Sequence, residues 1–266
     1  MTRLCVIGNS HIGLLTSDDA LPVLASAFEE ITFFACHSSL VKGLKPDAGS
    51  LVADNDELRA ALEMFSGGRT RIDIADYDAF VIIGHEFGIF GMLELYPGFL
   101  SDSMPGPAGE KYRLSDECFL AAARQVALRS EALWLADFIR SQCRTPVVVI
   151  SESNPGEGLP ESFMPWWYLP FYAAEKNGDA TAIAALFREL CARLAYERRI
   201  AVLPPMAEVA ASGLFIRREF SRLPAEINLE DDYDFMNLMT HANDKYGLRL
   251  LPHVFRALGI EPKATP

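Results

Sequence analysis

Five short apolar runs punctuate the chain, at residues 4–7, 31–36, 79–83, 146–150 and 200–203. Each is rich in Val, Ile or Phe and nearly continuous rather than alternating. An alternating strand keeps one face in water. A continuous one needs apolar cover on both faces, the condition of a parallel strand in a sheet sandwiched by helices. The intervening segments 18–31, 54–65, 115–143, 179–198 and 243–258 are rich in Ala, Leu, Glu and Arg, which favour helix. Ser115 followed by Asp116 and Glu117 makes a helix start, with acids at the positive end of the dipole. Asn243-Asp244 starts the last helix in the same way, and Gly259 stops it.

This β-α-β-α rhythm repeats along the chain with no internal repeat and no break in composition. It predicts a single domain over 1–266, α/β in class: a three-layer, doubly wound (flavodoxin-like) parallel sheet of five strands in the order 2-1-3-4-5. Two stretches depart from the rhythm and are expected to be loop or lid insertions. Residues 88–111 hold Gly88, Gly91, Pro97, Gly98, Pro105, Gly106, Pro107 and Gly109. Residues 155–172 hold Pro155, Pro160, Pro165 and Pro170 around Phe163, Trp166, Trp167 and Tyr168.

Composition narrows the function. The 266 residues carry 24 Lys and Arg against 36 Asp and Glu, a net charge of −12. No basic cluster offsets it, which argues against nucleic acid as a partner and gives phosphorylated or acidic substrates no attraction. Cys5, Cys36, Cys118, Cys143 and Cys191 are widely spaced and never in a C-x-x-C pair, so they read as buried reduced thiols rather than a disulfide framework or a zinc site. Met1-Thr2-Arg3 is followed by only four apolar residues before Gly8-Asn9-Ser10 interrupts, unlike a signal peptide, and no segment approaches the ~20 apolar residues of a membrane span. A soluble, cytoplasmic protein is expected, without a membrane partner.

In open parallel sheets, ligands bind beyond the carboxyl ends of the strands. That edge collects Gly8, Asn9, Ser10 and His11 after the first strand and His37, Ser38 and Ser39 after the second. It also collects Gly84, His85 and Glu86 after the third, and Ser151, Glu152, Ser153 and Asn154 after the fourth. His241 precedes the terminal helix, which can return it over the same edge. Ser10, lifted on a strand-to-helix turn, suits a nucleophile whose neighbouring N–H groups face an oxyanion. His241 is the candidate base. The same three residues 8–10 also suit a plain tight turn with a capping hydroxyl.

Leu4-Cys5-Val6-Ile7-Gly8-Asn9-Ser10 resembles the first block of the SGNH (GDSL-type) hydrolases, in which the serine is the nucleophile. Tyr77 to Glu86 is similar to the strand leading into that family's third block. His241-Ala242-Asn243, followed by Tyr246-Gly247, resembles its last block, where His is the general base. The resemblance implies a serine ester hydrolase that needs no metal or organic cofactor. The departures are equally specific. His37-Ser38-Ser39 stands where the family has an oxyanion glycine, with Gly43 displaced. His85 or Glu86 stands in place of an asparagine; His85 can donate, whereas an ionised Glu86 repels an oxyanion. Leu238 stands three residues before the histidine, where the family has aspartate, leaving Asp234, Asp232 or a backbone carbonyl to orient His241.

Other features read two ways. Trp166, Trp167 and Tyr168 serve as an acyl or sugar platform, with Asn243 beside the same pocket, or as packing on the sheet edge or a homo-oligomer contact. Glu230, Asp231, Asp232 and Asp234 form a cation loop or a solvated acidic one. A histidine metal centre with Glu86 lacks H-E-x-x-H spacing, and no G-x-G-x-x-G follows the first strand. The expectation is therefore Ser10 attacking a small neutral acyl ester or acylated sugar, with His241 as base. Asn9, His11, His37, Ser38, Gly84, His85 and Glu86 would surround the oxyanion and substrate. An acyltransferase on the same scaffold, or a non-catalytic binding protein, would keep the same framework.

Overall fold

A computed structural model describes residues 2–158, 166–222 and 241–261. Its main sheet consists of β1 (Arg3–Gly8), β2 (Glu30–Ala35), β6 (Ala79–Ile83), β9 (Val147–Ile150) and β10 (Ala201–Leu203). They lie in the order β2-β1-β6-β9-β10, with every pairing parallel. Renumbered by apolar run, that order is 2-1-3-4-5.

The apolar runs are continuous because successive side chains feed opposite faces. Leu4, Val6, Val81 and Val148 pack with helices α1 (Gly13–Thr16), α2 (Ala20–Ala27) and α9 (Asp244–Leu258). Cys5, Ile7, Phe80, Ile82 and Val149 face the other way, with α3 (Asp56–Phe65), α5 (Asp116–Ala127), α6 (Glu131–Gln142) and α8 (Ala180–Arg198). Full burial of a large apolar side chain is worth roughly 1.5–3 kcal/mol, and β6 is buried throughout, as is β1 from Leu4 onward. This is the three-layer α/β architecture.

Three differences from the expected elements have local causes. The stretch 115–143 holds two helices, because Ser130 starts a second one by accepting from the Leu133 amide at 3.4 Å. A small antiparallel sheet, β3 (Leu44–Asp47), β4 (Ser50–Ala53) and β5 (Arg71–Asp73), stands apart from the main one. Its hairpin turns at Ala48 and Gly49, both at positive φ, the backbone a two-residue hairpin demands. The segment 88–111 is structured in part. It contains α4 (Ile89–Leu93) and β7 (Phe99–Ser101), the latter paired with β8 (Tyr112–Leu114), and it buries Tyr96, Leu100 and Met104. In the second insertion, Trp166–Tyr168 forms a short 3-10 turn leading into α7 (Leu169–Lys176). Residues 159–165 lie outside the described residues.

All five cysteines are free. Cys5, Cys36 and Cys191 are buried as expected, but Cys118 is exposed on the outer face of α5 and Cys143 is half-buried just past the end of α6.

Candidate active site

β1 delivers the chain to the sheet edge at Gly8, and Asn9 caps the single 3-10 turn Ser10–Ile12 that follows. The Asn9 side-chain oxygen accepts from the His11 amide at 3.0 Å, and its carbonyl accepts from Ile12 at 3.0 Å. The N–H of His11 is therefore already bonded within the turn. Ser10 itself is exposed at the first position of the turn.

His241 reaches Ser10 from the far end of the sequence along a short antiparallel strap. Ser221 bridges Ala242, the Arg222 amide donates to the His241 carbonyl at 2.9 Å, and the Asn243 amide donates to Phe220 at 2.9 Å. Asn243 clamps this strap. Its Nδ2 donates to the carbonyls of Glu219 (2.8 Å) and Ser221 (2.9 Å), while its Oδ1 accepts from Lys245 and Tyr246 as the cap of α9. Its amide is thus committed to structure rather than to a substrate pocket. Helix α9 seats closely on α1, because Gly247 brings its backbone against the Leu14 carbonyl, where any Cβ would collide. The outcome is a Ser10 Oγ to His241 Nε2 separation of 2.7 Å.

Behind the pair lies a buried polar layer. The His11 ring stacks on that of His241, with centroids 4.8 Å apart and planes inclined by 22°. His11 Nε2 is 4.0 Å from Glu152 Oε1, and the same carboxylate oxygen accepts from the Glu86 amide at 3.0 Å. Burial lowers the His11 pKa to about 3, assisted by His241, His85 and Arg222, so the ring is neutral at pH 7. Burial likewise pushes the Glu152 carboxyl up to about 7, within reach of a proton at neutral pH.

The turn Gly84-His85-Glu86 closes this layer with three consecutive residues at positive φ, 82°, 56° and 62°. Only glycine adopts that region freely, and His85 and Glu86 each store roughly 1–2 kcal/mol of strain there. Gly84 is doubly required, since a Cβ would run into the Asn9 side chain. The Glu152 amide donates to the Phe87 carbonyl at 2.7 Å and, with the Glu86–Glu152 bond, pins the turn. His85 is wholly buried and held neutral by burial, with its pKa lowered to about 4. Its ring lies inside the protein, whereas Ser10 is exposed. Glu86 turns outward, 3.8 Å from Lys42 Nζ.

Of the other candidates, His37 lines one groove with Asn9 and Ser10. His37 is exposed at the end of β2, and Ser38 begins a 3-10 turn over Ser38–Gly43. Trp166 and Trp167 meet edge to face, 5.6 Å apart, both exposed. Asp232, Asp234, Leu238, and Glu230 with Asp231 lie outside the described residues. Among the described residues no cluster of three His, Cys, Asp or Glu could hold a metal ion, and no helix is long and apolar enough to cross a membrane. The sequence placed Glu152 at this edge with His11, but not their approach to 4.0 Å, which depends on strand order.

No family model and no curated protein matches the chain. Among solved structures it is similar to an extracellular lipase from Streptomyces rimosus, with 13% identity over 97% of this chain and 100% of that one, at a TM-score of 0.46. A phospholipase A1 from Streptomyces albidoflavus NA297 is 12% identical over 96% of this chain and 99% of that one, TM-score 0.46. A catalytic mutant of an acetylxylan esterase from Geobacillus stearothermophilus is 10% identical over 100% and 97% of the two chains, TM-score 0.39. These are likenesses of overall form.

Proposed function

We propose that the protein is a serine ester hydrolase in which Ser10 is the nucleophile and His241 the general base. The observation that carries this reading is the 2.7 Å separation of Ser10 Oγ and His241 Nε2 at the carboxyl edge of the sheet. A serine hydroxyl is a weak nucleophile until a base within hydrogen-bond reach can take its proton. With the proton of the neutral ring on Nδ1, Nε2 accepts from the hydroxyl. As Oγ bonds to the ester carbonyl carbon, the proton passes to Nε2, and the carbonyl oxygen becomes an oxyanion. Among the described residues, the amides of His11 and Ile12 bond Asn9, so the Ser10 N–H is the turn's donor for that oxyanion. Collapse breaks the bond to the alcohol oxygen, which takes the proton from His241. Water then attacks the acyl-enzyme with His241 again as base, releasing the acid and restoring Ser10.

The substrate in this reading is a neutral carboxylic ester, in keeping with the net charge of −12. The five free thiols fit a reducing, cytoplasmic setting. The test is incubation with a fluorophosphonate and a panel of nitrophenyl esters, followed by mass mapping. Ser10 is labelled and esters are cleaved, whereas Ser10→Ala and His241→Ala lose both. An unlabelled Ser10 in a wild-type protein inert to every ester overturns the reading.

A further inference from the structure

Ser10 has two unlike sides. β1 lies between β2 and β6. His241 stacks on His11, whose ring lies 4.0 Å from Glu152, just past the end of β9. Toward β2, Ser10 forms part of the lining of a groove of about 410 Å³, with Asn9 and His37 also on its lining and Ile12, Phe33, Ala35, Cys36 and Phe65 as its apolar walls. That volume lies within the range of small-molecule sites, about 300–1,000 Å³. Phe65 is 59% exposed and the adjoining Met64 75% exposed, large apolar side chains left facing water at the end of α3. Their position is fixed by the next residue: Ser66 Oγ accepts from the Ala35 amide at 2.9 Å and donates to the Ala35 carbonyl at 3.2 Å, stapling the end of α3 to β2.

We infer that this groove is the acyl subsite, and that the substrate carries an apolar acyl chain longer than acetyl. The inference rests on Ser10 and His241 acting as proposed above. The side on which each part of the ester lies then follows from the chemistry. His241 must hand its proton to the departing alcohol oxygen, so the alcohol leaves on the His241 side. The acyl group is the part that stays bonded to Oγ, and the remaining side of Ser10 is the apolar one. An aliphatic chain entering it covers Phe33, Ala35 and Phe65, whereas an acetyl group leaves most of the groove wet.

The test uses two ester series on the full chain. In the first, the nitrophenyl leaving group is constant and the acyl group lengthens from acetate through butyrate to octanoate. In the second, acetate is constant and the alcohol lengthens from ethyl to octyl. Burial of each methylene corresponds to about a three- to fourfold gain in kcat/KM. The expected result is that climb along the acyl series until the groove is filled, and a flat alcohol series. Thr16→Trp, an exposed position lining the groove, then lowers the octanoate-to-acetate ratio by about tenfold or more, the loss of two methylene contacts or more. Phe65→Ala, which removes one wall, lowers the same ratio less. Cleavage of acetate with Ser10 labelled, but no dependence on acyl length, overturns the acyl subsite and leaves the esterase reading standing. A climb along the alcohol series instead assigns the groove to the leaving group and also overturns it. Absence of both cleavage and labelling overturns the two together.

Discussion

The imidazole of His11 lies face to face with that of His241, 4.8 Å between centroids, and only the outer ring touches Ser10. In the chemistry proposed above, His11 acts as a positioning residue: a flat, uncharged wall against the ring of the base. Misplacing a catalytic group by about 1 Å can cost on the order of a hundredfold in rate. His11→Ala is expected to lower kcat by about ten- to a hundredfold with KM little changed, as for an interaction felt in the transition state. His11→Phe, which keeps the stack, recovers most of the loss. Steady-state kinetics on an activated ester distinguish this from a purely structural role, in which both variants would lose stability and activity together.

Asn243 joins two functions that substitution separates. Asn243→Ala removes a helix cap worth about 1 kcal/mol and two side-chain hydrogen bonds to the strap, each worth roughly 0.5–1.5 kcal/mol. Asn243→Asp keeps the acceptor that caps α9 but has no donor for the carbonyls of Glu219 and Ser221. Denaturant melts should show only the cap's share, about 1 kcal/mol at most, restored in Asn243→Asp, while turnover remains low in both variants because the strap holding His241 is loosened.

Acid stability follows from two buried histidines and one partly buried carboxyl. His11 and His85 have pKa values near 3 and 4 in the folded protein against about 6.5 unfolded, so the unfolded chain binds more protons and stability falls as pH drops below about 6.5. Glu152 acts in the opposite sense. Its folded pKa is near 7 against about 4.5 unfolded, so its contribution is full below the unfolded value and is lost as pH rises toward 7. Each group contributes about 1.4 kcal/mol per pH unit within its window. Two against one leaves a net slope of about 1.4 kcal/mol per unit between roughly pH 4.5 and 6.5. Glu152→Gln, which still accepts from the Glu86 amide, removes the opposing group. Its slope over that window is expected to be about double the wild-type value, measured by urea titration at a series of pH values.

Gly84 and Gly178 both sit in the left-handed region, at φ 82° and 79°, but only Gly84 faces a neighbour. Gly178→Ala is expected to cost on the order of 1–2 kcal/mol for the backbone alone. Gly84→Ala adds displacement of Asn9, the side chain that holds the His11 amide. It should therefore cost more stability and, unlike Gly178→Ala, depress turnover; chemical denaturation and ester kinetics on the pair check both points.

The main sheet was readable because its strands announce themselves locally. The run 79–83 matches β6 residue for residue, since a doubly buried strand admits only apolar side chains. Ser115 and Asn243 were readable as caps for a similar reason: the side chain that ends the helix is next to it in sequence. Ser130 was hidden within a segment of helix formers on either side. The strand Leu44–Asp47 was missed because Lys45, Pro46 and Asp47 are exposed and carry no alternation. At the site, Ser10 and His241 could be picked out from short motifs. The polar layer of His11 and Glu152, and the groove that brings Phe33 to Phe65, could not. Those residues meet only through strand order and helix packing, and the Gly84 turn conceals His85 by a backbone twist that no spacing shows.

The strap of Phe220–Arg222 against His241–Asn243 also joins two ends of the chain. Ser10 and His241 are 231 positions apart, and His241 is carried on a strap continuous with α9, which packs on a sheet face built from β1, β6 and β9. Closing so long a loop has an entropic cost that helices and hairpins do not carry. In the chemistry proposed above, a chain with its helices and strands formed but these ends apart has no base beside Ser10, so turnover would report on that one closure.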